Sequence, residues 1–491
     1  MATNRRRSRG FRLVRVAMNA FISVRPSSIL SKSSVVCSSC VTTDQDTSNP
    51  GRATRRLFIP RRCAPTFTGV LFVIIAIAAG LTACGSGGSS TSTPPSPPPP
   101  TFSQVFKHVV VIADIAESGM NSAGQTIPLT PIALANDYDL NHGHNAFVQM
   151  YDGGKMDGAD KITISCATGA VNCPPPNPQF MYVDPSDVQP YFQLGERYTF
   201  GDRMFQTNQG PSFPAHQFII SGTSAPTATS DLFVAENPTG GVGCAAPPTA
   251  LVALIDPMGM EDQKIYPCFE HPTLMDSLDA QTISWRYYSP SVSSMDAIWI
   301  GPLAINHLYF GADWAKVIIP QTQVLTDIAN GQLAQVSWVI PDGADSDHAR
   351  SNNGTGPAWV TSIVNAIGTS QYWANTAIII TWDDWGGWYD HVAPTIYDSY
   401  EYGFRVPLII VSPYTKQAYV SHVTHDFGSI LKFIEEVFTL PSLGYADARA
   451  DDFSDCFDLT QTPISFQVVP AKVDGKFFLT VKRPVTPPDD D

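Results

Sequence analysis

The stretch Ala377-Ile-Ile-Ile-Thr-Trp-Asp-Asp-Trp-Gly-Gly-Trp-Tyr-Asp-His-Val392 joins an apolar run to a pair of adjacent acids. The run at its start predicts a short buried strand, because it is apolar, β-branched and uninterrupted. Asp383 and Asp384 follow almost at once, and two carboxylates at a strand end are oxygen donors suited to a metal ion or a phosphate site. Gly386 and Gly387 leave space for a ligand to approach the backbone. The alternative is an ordinary turn rich in Asp and Gly.

The rest of the body has the same pattern of apolar runs separated by long polar loops. Further buried strands are predicted at 109–112, 218–220, 336–340 and 408–411, and helices at 272–280, 318–330, 359–367 and 427–438. Strands that alternate with helices favour an α/β fold with a mostly parallel sheet sandwiched between helices. Sites in such folds gather at the carboxyl ends of the strands, which is where the two acids lie. We expect residues 102–475 to form this domain.

The first hundred residues have a different composition. Residues 1–62 carry thirteen Arg or Lys against two acids, and the short apolar run 70–81 comes next. A basic flank, an apolar core and small residues predict a basic leader and signal peptide over 1–83. The sequence Leu81-Thr-Ala-Cys84 resembles the lipobox of bacterial lipoproteins, so Cys84 is expected to carry a lipid. An ordinary cleavage site with a chance cysteine is the alternative.

These features predict an exported protein that is lipid-anchored to the cell envelope, in the periplasm or on the outer surface. Residues 84–101 are the lipidated cysteine and a linker rich in Gly, Ser and Pro, which is typical of a flexible spacer. The basic leader is unusually long, so we expect the start codon to lie downstream of Met1. Residues 476–491 are expected to form a disordered acidic tail.

The charge of the chain excludes one class of partner. The whole chain has a formal charge of −14, and without residues 1–83 it keeps 17 basic and 42 acidic residues, a charge of about −25. A domain this acidic should not seek nucleic acid or an anionic lipid surface.

Five of the nine cysteines lie in the body of the chain. An oxidising compartment favours disulfides, and Cys166 with Cys173 and Cys244 with Cys268 are the economical pairs, although sequence alone does not fix connectivity. The spacings do not fit a zinc finger. Cys456 is left over.

A second polar segment, Asn208-Gln-Gly-Pro-Ser-Phe-Pro-Ala-His216, precedes the run at 218–220. Pro211 and Pro214 flank Ser212 and predict an irregular loop there. A hydroxyl in such a loop acts as a nucleophile when a metal ion or a base removes its proton, whereas most serines in loops only satisfy a turn.

Five histidines lie in the polar segments near predicted strand ends, namely His142, His144, His271, His348 and His391. Imidazoles suit phosphate chemistry, because they stabilise developing negative charge and protonate a leaving oxygen. Taken one at a time, each is more often a surface or structural residue.

Together these segments resemble the phosphoesterases of the bacterial phospholipase C and acid phosphatase type. The resemblance runs from Lys107-His-Val-Val-Val111 to Phe427-Gly-Ser-Ile-Leu-Lys-Phe433. It includes the opening stretch and Gly403-Phe-Arg-Val-Pro-Leu408, both of which are specific to the family. It implies a fold related to the alkaline phosphatase sandwich.

The resemblance also implies roles for individual residues. Asp383 and Asp384 would bind a divalent metal ion of unknown identity, and Ser212 would be the nucleophile. His348 would approach the phosphate of the substrate. The protonation of the leaving oxygen falls to a second histidine, for which His144 and His271 are the candidates.

One departure from the family pattern concerns the metal site. Family members carry a Glu-Asn pair at the end of the first strand, and both residues bind the metal. This chain reads Val109-Val-Val-Ile-Ala-Asp-Ile-Ala-Glu-Ser-Gly-Met120 and lacks the pair. A short deletion accounts for the loss and would leave the metal underliganded unless Asp114 or Glu117 moved into the gap. Activity is then expected to be impaired or absent.

Three functional hypotheses follow. The first is an exported, metal-dependent phosphoric ester hydrolase that acts through a serine phosphoenzyme, on a phosphate ester that is either a phospholipid or a smaller soluble compound. The second is a catalytically inactive binding lipoprotein with the same fold. The third, a metal-free serine esterase that uses Ser212 and His348, is disfavoured because the Gly-x-Ser-x-Gly motif is absent around Ser212.

Overall fold

Seventeen strands and ten helices occur in the residues that the computed structural model describes, which are 11–17, 116–293, 295–350 and 352–482. The strands are β1 Phe11–Ala17, β2 Ser118–Met120, β3 Thr126–Pro128, β4 Thr130–Ile132, β5 Tyr138–Leu140, β6 Ile164–Cys166, β7 Met181–Val183, β8 Thr199–Gly201, β9 Phe233–Val234, β10 Val252–Ile255, β11 Gln263–Ile265, β12 Trp285–Tyr288, β13 Val317–Ile318, β14 Val336–Val339, β15 Thr376–Trp382, β16 Leu408–Val411 and β17 Tyr419–Ser421. The helices are α1 His144–Tyr151, α2 Gln189–Arg197, α3 Ser212–Ser221, α4 Leu274–Ala280, α5 Asn306–Phe310, α6 Gln323–Ala329, α7 Gly356–Gly368, α8 Phe427–Phe438, α9 Ala446–Arg449 and α10 Gly475–Thr480.

Eight of these strands form the central sheet, in the order β13-β12-β14-β1-β15-β16-β8-β17. β12 pairs in parallel with β13 and β14, and β8 pairs in parallel with β17. β1 and β16 pair antiparallel with both of their neighbours. Six of the eight strands therefore share one direction, and the predicted α/β class is confirmed. The sheet is mixed, because β1 and β16 run against the others, and its relation to the alkaline phosphatase sandwich stays a prediction.

The shared direction brings three strand ends to the same edge of the sheet. β8 ends at Gly201 and leads towards α3, β14 ends at Val339 and leads towards His348, and β15 ends at Trp382, directly before Asp383. The carboxyl ends of strands that share a direction lie at one edge, which is where ligands bind in α/β folds. Segments far apart in the sequence are thus placed together.

Two buried apolar clusters are joined through the acid pair. Trp382 belongs to the larger cluster, in which the central strands pack with α3, α7 and α8. Trp385 belongs to the smaller cluster, which contains residues of β5 and α1. Asp383 and Asp384 are the residues between these two tryptophans, so both acids are flanked by buried neighbours.

Most of the predicted elements are confirmed. Strands occur at the predicted runs that begin near Val336, Ala377 and Leu408, and helices α4, α6, α7 and α8 lie within or around the predicted helical ranges. The predicted strand 109–112 lies outside the described residues. In the described part of the chain, β14 and β15 both pair with β1 instead of with each other.

The predicted strand at 218–220 and the predicted loop at Ser212 are wrong, since both belong to helix α3. Pro211 is the extended residue before the helix, and Pro214 lies in the first turn. The backbone N–H groups of a first turn have no partner within the helix, so proline is tolerated there. All ten residues of α3 are buried. A helix buried on every side has no amphipathic period, and a short apolar run of that kind is indistinguishable from a strand.

The two economical disulfides are confirmed. Cys166 pairs with Cys173 and Cys244 pairs with Cys268, while Cys456 is free and buried.

The expected signal peptide and linker lie outside the described residues, except that Phe11–Ala17 forms β1. No helix among the described residues has the length and apolar content to cross a bilayer. Cleavage, lipidation at Cys84 and export stay predictions.

Candidate active site

The acid pair at the end of β15 is fully buried. Asp383 is 0% exposed and Asp384 is 1% exposed. The Oδ1 atom of Asp384 accepts a hydrogen bond of 2.8 Å from the backbone N–H of Gly386. Gly387 has a φ of +78°, and a Cβ atom there would clash with Leu140 of β5. The glycines therefore allow the chain to turn sharply against β5 directly after the acids.

Ser212 is the first residue of α3, and its hydroxyl reaches the acid pair. Ser212 Oγ donates a hydrogen bond of 2.9 Å to Asp384 Oδ2, and Ser212 is 0% exposed. Gly210 fixes the approach of this segment, because a Cβ atom there would clash with the Tyr400 hydroxyl and the Ala235 carbonyl. The structure thus brings a sequence-predicted hydroxyl into contact with a sequence-predicted acid.

His216 lies one helical turn after Ser212 on α3 and faces the other acid. Its Nε2 atom is 3.3 Å from Asp383 Oδ2, and its Nδ1 atom is 3.2 Å from the Tyr287 hydroxyl. Tyr287 donates its own proton to the Trp299 carbonyl at 2.8 Å. The hydroxyl oxygen therefore accepts the Nδ1–H of His216, and in a neutral ring the lone pair of Nε2 faces Asp383.

His142 has the same arrangement on the other side. Its Nδ1 atom is 2.8 Å from the Leu140 carbonyl, which can only accept, so Nδ1 carries the proton. Its Nε2 atom is 3.7 Å from Asp384 Oδ2, and the side chain is 1% exposed. A second imidazole lone pair thus faces a second buried carboxylate.

These residues have the ligand types of a divalent metal ion, arranged as two pairs with one imidazole on each acid. Burying two adjacent carboxylates costs several kcal/mol each unless positive charge compensates them. A bound cation is one source of such charge. Two ligands on one ion at ordinary bond lengths of about 2.0–2.2 Å lie roughly 3–3.5 Å apart, close to the separations of His216 from Asp383 and of His142 from Asp384. Carboxylates, neutral imidazoles and a hydroxyl together form a donor set for such an ion.

His348 lies behind His142. The two ring centroids are 5.4 Å apart, and the ring of Trp299 is 6.3 Å from that of His348. His348 is 2% exposed, and its Nδ1 atom is 3.1 Å from the Ala349 carbonyl and 4.0 Å from Asp139 Oδ2. The segment after β14 therefore joins the same group of buried histidines.

His144 is connected to the segment of Ser212 through Gln209. The Nε2 atom of His144 is 3.2 Å from Gln209 Oε1, three residues before Ser212, and its Nδ1 atom is 2.5 Å from Glu261 Oε1. Its backbone N–H donates to Glu236 Oε1 at 3.0 Å. His144 thus stands at the base of the loop that leads to the hydroxyl, between two acidic side chains.

His271 has different neighbours. Burial lowers the pKa of this imidazole, and its Nδ1 atom is 3.2 Å from the Pro272 carbonyl. The charged groups that act on it are His307, Glu270 and Asp276. None of the contacts identified for His271 within the described residues joins it to the acid pair. The structure therefore places Ser212 on Asp384, His348 against His142 and His144 against Gln209, and it leaves the role of His271 a prediction.

Sequence reasoning assigned no role to two residues of this site. His142 was one of several histidines near predicted strand ends, and only its contact with Asp384 separates it from the others. His216 was hidden by the prediction of a loop and a strand. Had the segment been interpreted as a helix, the spacing of four residues from Ser212 would have placed both side chains on one face.

Comparisons with known proteins support a family assignment. The model of the "Phosphoesterase family" matches residues 117–441. The chain is 23% identical to a hemolytic phospholipase C of Pseudomonas aeruginosa over 61% of this chain and 43% of that protein. It is 32% identical to a non-hemolytic phospholipase C of Burkholderia pseudomallei over 34% of this chain and 32% of that protein. It is 24% identical to phospholipase C B of Mycobacterium tuberculosis over 56% of each chain. The matched part thus spans between about a third and just over half of these relatives.

Proposed function

The chain belongs to the phosphoesterase family, and from this we propose that it is a metal-dependent phosphoric ester hydrolase that acts through Ser212. The observation that carries the proposal is the hydrogen bond from Ser212 Oγ to Asp384 Oδ2. A buried hydroxyl that is already bonded to a carboxylate at the carboxyl edge of the sheet has the position that a nucleophile needs.

The reaction follows from this contact. Ser212 Oγ forms a bond to phosphorus while the bond from phosphorus to the leaving oxygen breaks. The hydroxyl proton passes to Asp384 Oδ2, the atom with which it shares a hydrogen bond. Water then gives a proton to His144, which has lost its own to the leaving oxygen, and forms a bond to phosphorus while the bond from phosphorus to Ser212 Oγ breaks. This step releases phosphate from a monoester, or a phosphate monoester from a phosphodiester, and restores the hydroxyl. Asp384 holds the transferred proton only 2.9 Å from the serine oxygen, so the proton can return.

A divalent metal ion would be held by Asp383, Asp384, His142 and His216. When bound, it supplies positive charge that stabilises the phosphoryl oxygens and the serine oxygen. The imidazoles of His142 and His216 are metal-ligand candidates in addition to the two acids. Neither was considered as a replacement for the missing Glu-Asn pair. Donor sets of imidazole and carboxylate favour a transition-metal ion over calcium or magnesium. In this proposal the two imidazoles take the place of that pair.

His348 and His144 have separate roles in this proposal. His348 packs against His142 and stabilises the phosphoryl group, which becomes more negative at the transition state. His144 protonates the leaving oxygen, and its contact with Gln209 keeps it beside the segment of Ser212. His271 is the second candidate for that proton, and the contacts of His144 make His144 the stronger one.

The substrate and location are proposed from the relatives and the leader. The relatives are named as phospholipases C, which supports a phosphodiester or phospholipid substrate. The predicted lipid on Cys84 would hold the domain at the cell envelope. The acidic charge of the domain disfavours an anionic lipid surface, so zwitterionic lipids or soluble phosphate esters are the proposed substrates.

Hydrolysis of chromogenic esters tests this function. Purified protein is freed of metal by chelation, dialysed with zinc or manganese, and assayed with p-nitrophenyl phosphate and p-nitrophenylphosphorylcholine. We expect turnover that disappears with the chelator and returns with the ion, and the preferred ester distinguishes monoester from phosphodiester activity. No turnover with any divalent ion, from protein that binds the ion, would instead support an inactive binding protein.

A further inference from the structure

A second group of metal-binding side chains lies where β17 leads into α8. His425, Asp455 and Cys456 each offer one ligand atom, and these atoms all lie within 4.8 Å of one another. None of the three belongs to the site of Ser212 and the acid pair. His425 and Cys456 are 0% exposed, and the side chain of Asp455 is 22% exposed, which gives an ion a path from solvent.

We propose that His425, Asp455 and Cys456 bind a structural zinc ion. The Nε2 atom of His425 is 3.7 Å from Asp455 Oδ1, and Cys456 Sγ is 3.4 Å from the same oxygen. Nitrogen, oxygen and sulfur ligands of a tetrahedral zinc ion lie roughly 3.3–3.7 Å apart, given bond lengths of about 2.0–2.3 Å. These two separations match those that one ion would impose, and the third, between His425 Nε2 and Cys456 Sγ, is within 4.8 Å.

The hydrogen bonds of His425 define what an ion would replace. Ser421 Oγ donates its one proton to Asp455 Oδ2, so it accepts the Nε2–H of His425, and a zinc ion would displace that Nε2 proton. On the other side of the ring, Nδ1 is 2.9 Å from Asp451 Oδ1. A histidine that binds zinc commonly donates its other N–H to a carboxylate in this way. Asp451 is the outer carboxylate of such an arrangement.

The ligand types select the ion. A thiolate with an imidazole and a carboxylate suits zinc, whereas calcium and magnesium prefer oxygen ligands alone. Among the described residues, Cys456 is the one cysteine outside a disulfide. Ser421 Oγ lies 2.9 Å from His425 Nε2 and donates to Asp455 Oδ2 at 2.6 Å, so it or a water can complete the fourth position.

The ion would brace the segment that leads to Ser212. The backbone N–H of His425 donates to the Arg203 carbonyl at 2.9 Å, and that of Phe205 donates to the His425 carbonyl at 2.8 Å. Residues 203–205 follow β8 and precede the segment of Ser212. An ion on His425 would therefore hold one side of this segment in place. The proposed site is independent of the catalytic metal.

Cobalt substitution tests the site. The protein is saturated with Co²⁺, and the near-ultraviolet band that marks a cobalt–thiolate bond is recorded for wild type, Cys456→Ser and Asp384→Asn. We expect the band in the wild type and in Asp384→Asn and its loss in Cys456→Ser. A band that survives in Cys456→Ser, or no band in the saturated wild type, would overturn the proposal in favour of a simple hydrogen-bond network around His425.

A second variant keeps the test decisive if Cys456→Ser fails to fold. Asp451→Asn retains the shape of the side chain and removes the charge of the outer carboxylate. We expect it to weaken binding of Co²⁺ by about 10- to 100-fold, as read from titration of the same band. Unchanged affinity would argue against the site. Phosphatase activity is measured in parallel, and wild-type protein that shows the band but no turnover would refute the proposed function alone.

Discussion

Ser212 and His216 lie one turn apart on α3 and contact the two adjacent acids at the end of β15. Ser212 Oγ donates to Asp384 Oδ2 at 2.9 Å, and His216 Nε2 lies 3.3 Å from Asp383 Oδ2. The helical spacing of four residues places both side chains on one face of α3. Ser212 contacts Asp384, and His216 contacts Asp383. A single helix thus presents the proposed nucleophile and a proposed metal ligand together.

Replacing the nucleophile should abolish turnover without unfolding the protein. Ser212→Ala removes the attacking oxygen, so we expect phosphoesterase activity to fall by at least about a thousandfold, as triad nucleophiles do. The control is Ser221→Ala, which removes a second buried hydroxyl at the far end of the same helix. Kinetics of both variants with circular dichroism spectra check the prediction. Equal losses in the two variants would point to damage of α3 instead of chemistry.

Replacing His216 should weaken metal binding as well as activity. His216→Asn removes the lone pair that faces Asp383, and we expect at least a tenfold loss of affinity for the catalytic ion together with lower turnover. His307→Asn is the matched control, because His307 is 30% exposed and contacts Glu270 and Asp276. Metal titration and turnover are measured for both. A loss of activity with unchanged metal affinity would remove His216 from the ligand set.

The close approach of the Ser212 segment should make Gly210 intolerant of a side chain. Gly210→Ala places a methyl group against the Tyr400 hydroxyl and the Ala235 carbonyl, and we expect a loss of about 1–3 kcal/mol or more in the free energy of unfolding. Gly195→Ala is the control, because its Cβ would meet Phe200 Cβ at 3.7 Å and helix α2 gains from alanine. Urea unfolding should show destabilisation of the first variant only. Equal stability of the two would contradict the packing described at Gly210.

A buried acid on α8 should make stability depend on pH. Burial raises the pKa of Glu435 from 4.5 to about 7, and the charge of Asp447 adds to the effect. The folded state therefore favours the protonated form, so its contribution to stability is complete below pH 4.5 and is lost as the pH rises towards 7. The side chain in Glu435→Gln does not ionise, so the variant does not lose this stability as the pH rises.

The variant should therefore gain about 1–2 kcal/mol on wild type between pH 4.5 and pH 8. Urea unfolding at both values of pH measures the difference. Parallel pH profiles for the two proteins would show that Glu435 titrates normally.

The sequence predicted those parts of the site that lie in short local signals. Local sequence patterns predicted three features, namely the acids after an apolar run, the strand at 336–340 and helix α8. The two disulfides were predictable because they close short loops. The contact of Ser212 with Asp384 joins residues 172 apart, and the sequence brought them together only through the family resemblance.

The parts that were missed depend on tertiary structure. Helix α3 is buried on every side, so its apolar residues had no period, and two prolines in and before its first turn resembled loop signals. Because His216 lies on this helix, its place in the site was missed as well. The directions of β1 and β16 come from pairing between distant segments, which composition does not encode.

The central claim is that Ser212 becomes phosphorylated during turnover, and trapping the intermediate tests it most directly. Protein saturated with the activating ion is mixed with an excess of p-nitrophenyl phosphate, quenched in acid within the first turnover, and digested for peptide mass spectrometry. We predict a phosphoryl group on Ser212, absent from the chelated protein. Turnover without any phosphoserine, or with the phosphoryl group on another residue, would contradict the account.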